Sequence, residues 1–234
     1  MTRTFLGFCL IVFALCLVSD HSFPIWDTQF KLSTTLRFGG MWGPLNREQP
    51  WRYLSAVFAH ANLLHVGMNC FVLASVGARV ERELGKARFV ILFVLSGIFG
   101  FLASDAWYAF MGPPTVGASG AVFGLFGAAI GAAYARRDPT WKQILFQNLI
   151  WLLVLSFAGS GAGGGVNNAA HVGGLVTGAL LGFVFTKETR RLKLDLPFAL
   201  IAVLLCLLSV ASVGLSVASP VWRIVQAQEM SRQF

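Results

Sequence analysis

Apolar residues in this 234-residue chain run in long blocks broken by short polar stretches. A helix needs about 20 apolar residues to cross the hydrocarbon core of a bilayer. Blocks on that scale fall at 5–19, 53–78, 88–111, 115–135, 141–158, 166–186 and 196–218, which predicts seven transmembrane helices. Most connections between them are short. The chain 1–234 is therefore expected to form one polytopic, all-α membrane domain, a helical bundle embedded in the lipid bilayer.

Composition excludes the main alternative. With 56% hydrophobic and 12% charged residues, and a mean hydropathy of +0.69, the chain lies outside the range of soluble globular domains. The first block follows Arg3 in the manner of a signal peptide. However, "FALCLVSDHS" offers no small-x-small cleavage site and Leu15 before Cys16 does not suit a lipoprotein site, so a retained signal-anchor helix is expected. The four cysteines, 9, 16, 70 and 206, fall inside predicted spans without metal-type spacing and read as small packing residues.

Charge sets the expected orientation. With the N-terminus in the cytoplasm, the inside segments hold Arg3, then Arg79, Arg82, Lys86 and Arg88, then Arg136, Arg137 and Lys142, then Lys187, Arg190, Arg191 and Lys193. That is 12 of the 18 basic residues, which leaves Lys31, Arg37, Arg47, Arg52, Arg223 and Arg232 outside. The positive-inside rule favours this threading. The net charge of +8 is then explained by topology, and no nucleic-acid partner is needed.

The same threading brings His21, His60, His65 and His171 to the outer face. In "FAHANLLHVGMN", His65 and Asn69 are four apart and share one helix face, with His60 just above. His171 heads the sixth predicted helix in "NNAAHVGGLVTG", and Ser119 heads the fourth in "VGASGAVFGLFGAAIG". Polar side chains are costly in a bilayer and usually face a bundle interior or a wet cavity. Taken singly, each is an interfacial histidine or a small packing serine. Together they supply a hydroxyl, two or three candidate bases and an amide donor at one depth. A serine nucleophile needs a base to take its proton and donors for the oxyanion it creates. "GASGA" does not fit the soluble-hydrolase elbow G-x-S-x-G, because residue 121 is Ala and an apolar segment of helical length follows.

The motifs "WRYLSAVFAHANLLHVGMN", "VGASGAVFGLFG" and "AHVGGLVTG", in that order, resemble the rhomboid family of intramembrane serine proteases. The similarity runs from about Phe38 to Thr186 and includes "RVERELGKARFVILFVLSGIFG", with Glu81 and Gly85, between the motifs. The resemblance implies a six-helix core over about 5–186, with 196–218 as an extra seventh helix, and neither metal nor organic cofactor. It implies Ser119 as nucleophile and His171 as general base. His60, Asn69 and the Ser119 N–H would be oxyanion donors, and His65 would have a hydrogen-bonding, structural role. Phe123 matches the aromatic on which the catalytic imidazole packs. Trp51 and Arg52 match a pair anchoring the outer loop at roughly 20–50. Substrates would be transmembrane proteins, cut in or next to a membrane segment near the outer side.

Residue-level reading fits a dyad. No carboxylate lies in the apolar run around His171, and Asp105 is the only intramembrane acid that could serve as a third member. Asn167 and Asn168 are expected to cap the sixth helix. Rows of glycine, 120, 124, 127 and 131 on the fourth helix and 174, 178 and 182 on the sixth, predict close backbone packing that would bring Ser119 to His171. Three rivals are weaker. A catalytically silent client-binding relative would typically lack the Ser or His. A transporter would need ionisable groups through the membrane depth, and a zinc protease would need H-E-x-x-H. Short loops and the lack of an Arg- and Ser-rich transit peptide favour a bacterial inner membrane, with the site opening outward. No role is expected for the tail from Pro220 to Phe234.

Overall fold

The computed structural model describes residues 1–20, 29–159, 166–188 and 195–232, with 151–159 as helical backbone. A long helix α1 (Thr2–Asp20) is followed by three short ones, α2 (Leu32–Arg37), α3 (Gly43–Asn46) and α4 (Arg52–Ser55). Then come α5 (Leu63–Leu84), α6 (Lys86–Trp107), α7 (Ser119–Ala135), α8 (Trp141–Gly159), α9 (Asn168–Glu188), α10 (Asp195–Ala218) and α11 (Val221–Ser231). Strand-like pairing among the described residues is limited to one antiparallel bridge, Met41 with Thr115. Helices α1, α5, α6, α9 and α10 are each long and apolar enough to cross a membrane. The molecule is an all-α, multi-pass membrane bundle.

Helix α7 is buried on almost every side and sits at the centre, between α6 and α9. It has only 17 residues. At 1.5 Å per residue that is about 26 Å, less than the ~30 Å hydrocarbon core, so at least one of its ends lies within membrane depth. Helix α10 instead shows a face of Leu200, Val203, Leu204 and Leu207 outward, as a peripheral span does.

One predicted span has to be redrawn. The second block, 53–78, is not one helix: α4 ends at Ser55, 56–62 is irregular, and the crossing helix starts at Leu63 and runs on to Leu84. Hydropathy cannot separate a helix from an apolar irregular segment enclosed by protein. Ala56, Val57, Phe58, Ala59 and His60 are all buried, the setting in which non-helical backbone is tolerated at membrane depth. Inside α5 the turn Leu73–Gly77 is π-helical, a local widening that periodicity does not announce.

Glycine sets the central packing. A Cβ on Gly174 would collide with the Gly120 carbonyl, one on Gly178 with that of Gly124, and one on Gly182 with that of Ala128, so α7 and α9 touch backbone to backbone. Gly85 has φ +84° in the turn joining α5 to α6, a conformation open to glycine. At the same end, Glu81 accepts from the Thr2 N–H at 2.8 Å and from Thr2 Oγ1 at 2.6 Å, tying α5 to α1.

The other end of the bundle is capped by α2–α4. Fully buried Arg52 donates from Nε to Gln49 Oε1 (2.7 Å) and from Nη1 to the carbonyls of Leu36 (2.8 Å) and Gly40 (2.7 Å). It thus caps the last turn of α2. Helix α10 and the tail reach the same segment. Gln49 Nε2 donates to Ser219 Oγ (3.0 Å), Ser55 Oγ lies 3.3 Å from Ser216 Oγ, and Glu229 on α11 accepts from Ser33 N (3.2 Å) and Ser33 Oγ (2.5 Å). The Arg37 guanidinium stacks 4.5 Å over the Trp222 ring.

Candidate active site

Ser119 is delivered by a turn that only glycine accommodates. Gly117 has φ +124°, and a Cβ there would meet His65 Nε2 at 2.6 Å. The Gly117 N–H donates to the Ala56 carbonyl at 2.9 Å, fixing the entry of the chain into α7. Ala118 then occupies the N-cap with no side-chain cap, and Ser119 is the first helical residue. The amide groups of an uncapped first turn are free to face an anion.

His171 is held in the first turn of α9. Asn167 caps that helix, its Oδ1 accepting from the Ala170 N–H at 3.0 Å, and its Nδ2 donates to Ser104 Oγ on α6 at 2.6 Å. The imidazole is buried, and its Nε2 lies 2.7 Å from Ser119 Oγ. Its ring stacks on Phe123 at 4.5 Å between centroids and 25° between planes; Phe123 lies one turn along α7 from Ser119. His171 Nδ1 has no hydrogen-bond partner among the described residues. Asp105 is directed elsewhere: its Oδ2 accepts from Asn46 Nδ2 (2.8 Å) and from the Tyr53 hydroxyl (2.5 Å). The pair is a dyad in geometry, with no carboxylate behind the histidine among the described residues.

The neighbouring polar groups are arranged by their own partners. His60 Nδ1 faces the Phe58 carbonyl at 3.2 Å, which can only accept, so Nδ1 carries the proton. Its Nε2 then accepts from the Ala118 N–H at 3.4 Å. His65 meets His60 edge to face, with centroids 5.1 Å apart, and takes the Asn62 side chain as its helix cap through its own N–H (2.8 Å). Asn69 is buried and donates one Nδ2 hydrogen to the His65 carbonyl (2.8 Å), which leaves its second hydrogen uncommitted. Arg52 anchors the α2–α4 segment through the carbonyls of Leu36 and Gly40, as described above. Trp51 lies beside it, with no partner for Nε1 among the described residues. Gly174 and Gly178 lie below His171 on the face that meets α7. His21 lies outside the described residues. No group of His, Cys, Asp or Glu among the described residues could hold a metal ion.

Residue patterning missed Asn46 and Tyr53, whose partner Asp105 lies more than fifty positions along the chain; no local spacing signals such a pair. It also missed Gly117, where a glycine ahead of the serine was the available sign of a special turn.

A sequence profile of one family, the Rhomboid domain, matches residues 47–188. The chain is 32% identical over 206 residues to Rhomboid-like protease 1 of Toxoplasma gondii, a match spanning 83% of this chain and 66% of the relative. It is 30% identical over 196 residues to Rhomboid protease GlpG of Klebsiella pneumoniae, spanning 81% and 64%. It is 36% identical over 137 residues to RHOMBOID-like protein 4 of Arabidopsis thaliana, spanning 58% and 34%. In each case the chain covers less than two thirds of the relative's length.

Proposed function

The chain belongs to the rhomboid family, and from that membership we propose that it is an intramembrane serine endopeptidase hydrolysing a peptide bond in or beside a transmembrane segment of membrane-anchored proteins. The observation that carries this reading is the 2.7 Å separation of Ser119 Oγ and His171 Nε2. Ser119 Oγ attacks the scissile carbonyl carbon while its proton passes to His171 Nε2. The C–N bond then breaks as His171 returns that proton to the leaving amine, leaving an acyl-Ser119. A water, deprotonated by the same nitrogen, attacks the ester carbonyl, and the acyl C–O bond breaks as His171 passes that proton to Ser119 Oγ, releasing the carboxylic product and the free dyad. Phe123 and the α9 cap hold the imidazole in place, the work a carboxylate does in a triad.

The oxyanion is stabilised by the Ser119 N–H at the head of α7 and by the uncommitted Nδ2 hydrogen of Asn69. His60 has a different first task. While its Nε2 accepts from Ala118 it pins the peptide preceding the nucleophile, and it donates to the oxyanion only when Nε2 carries a proton. The bias of 12 basic residues to 6 supports an N-terminus in the cytoplasm, with the dyad opening toward the outer face; the short loops are what favours a bacterial inner membrane.

The test is labelling of detergent-solubilised protein by a fluorophosphonate, which reports an activated serine without requiring the substrate. Wild type is expected to label, and Ser119→Ala and His171→Ala to lose both label and cleavage while remaining folded. A folded wild-type protein that neither labels nor cuts would make the chain a silent, client-binding relative.

A further inference from the structure

At the end of the bundle opposite the dyad, a cavity of about 430 Å³ opens among the α7–α8 turn, the start of α8 and the last turn of α9. Its charged lining is Arg137, Lys142 and Lys187, and it contains no acid. Three aromatic rings, Tyr134, Trp141 and Phe183, form its walls. Tyr134 stands edge-on to Trp141 at 5.7 Å and tilted to Phe183 at 6.1 Å. Lys142 lies over the Trp141 ring (5.7 Å) and Lys187 over Phe183 (5.8 Å), so both ammonium groups are held at ring faces. None of the three cations forms an ion pair with a described residue. The carboxylates nearest in sequence are committed elsewhere: Asp138 accepts from the Thr140 N–H at 2.9 Å, and Glu188 pairs with Arg88 at 2.9 Å.

A second observation concerns the backbone. Arg137 has φ +60° where it ends α7, its N–H donating to the Tyr134 carbonyl at 3.0 Å. This left-handed position after a helix is the one glycine usually takes, because a Cβ strains it. Positive charge for topology could sit anywhere in this loop, as Arg136 does next door. Arginine at the strained position, lining an acid-free cavity, points to a use for its side chain.

We propose that this cavity binds the phosphate of an anionic phospholipid headgroup, with Arg137, Lys142 and Lys187 around the phosphate and the three rings at headgroup level. Tyr and Trp favour that level of a bilayer, and each cation near an anionic surface contributes attraction. The proposal does not rest on the proteolytic reading.

The test is native mass spectrometry of the full chain released from vesicles of phosphatidylcholine alone or mixed with phosphatidylglycerol, with thermal midpoints measured alongside. Wild type is expected to retain phosphatidylglycerol in preference to phosphatidylcholine. The preference is expected to fall about fivefold for each charge removed, and about 10²-fold in Arg137→Gln/Lys142→Gln/Lys187→Gln. Arg137→Gly separates the site from folding: it relieves the strained φ, so the midpoint should rise or hold while lipid retention falls. Equal retention by wild type and the triple variant, or unchanged retention by Arg137→Gly, would overturn the proposal. So would inorganic phosphate protecting the lipid-free protein as well as phosphatidylglycerol does, since the ligand would then be a free anion.

Discussion

Asn69 is held to α5 by one of its two amide hydrogens, so the other is positioned before any substrate arrives. That pre-positioning argues for a transition-state role: Asn69→Ala is expected to lower kcat by about 10²–10³ with little change in KM. Steady-state kinetics on a transmembrane substrate checks this, and a raised KM with unchanged kcat would move Asn69 to substrate binding. At this scale, what the sequence made legible was what one helical turn relates. His65 with Asn69, and Ser119 with Phe123, are four residues apart and share faces by helix geometry alone. Asp105 illustrates the opposite. It stood out as an acid in an apolar run, but its partners Asn46 and Tyr53 come from a segment whose fold no periodicity describes. The protonation of His60 was likewise unreadable, because it is decided by the Phe58 carbonyl and the Ala118 N–H.

Between elements, the contact of α7 with α9 decides how closely Ser119 and His171 can approach. Because a Cβ on Gly178 would strike Gly124 backbone rather than a movable side chain, even alanine there is disruptive. Gly178→Ala is expected to destabilise the fold by about 1–3 kcal/mol. It should also lower activity by on the order of 10²-fold through misplacement of the dyad. Gly214→Ala, facing open space on α10, is the matched control and should leave both unchanged. Thermal midpoints and kcat measured together distinguish the two. The sequence showed the glycine rows, but patterning cannot say whether the neighbour a new Cβ meets is side chain or backbone. Six of the seven predicted blocks correspond to helices within a few residues. The exception, 53–78, failed because enclosed irregular backbone is as apolar as a helix. The short α2–α4 and the amphipathic α11 were invisible to a search for long apolar runs.

For the whole molecule, the charge pattern yields a direct check of orientation. Single cysteines placed within 82–87 in a cysteine-free background should resist an impermeant thiol reagent in intact cells, while those at 225–232 react; the reverse would put the dyad on the cytoplasmic side. The links from Gln49 to Ser219, Ser55 to Ser216 and Ser33 to Glu229 have a further consequence, in time rather than space. A ribosome completes Ser119 and His171 well before it reaches Ser216. Until α10 and α11 emerge, α2–α4 lack these three partners, and Gln49, which accepts from Arg52, lacks its own anchor. The segment carrying α2–α4 is thus expected to take its final form only as the last helices are made. Nascent chains stalled before Ser216 are expected to be cleaved by limited proteolysis within 32–55 more readily than the released full chain. Equal resistance in the stalled chains would show that α2–α4 settles without its C-terminal partners.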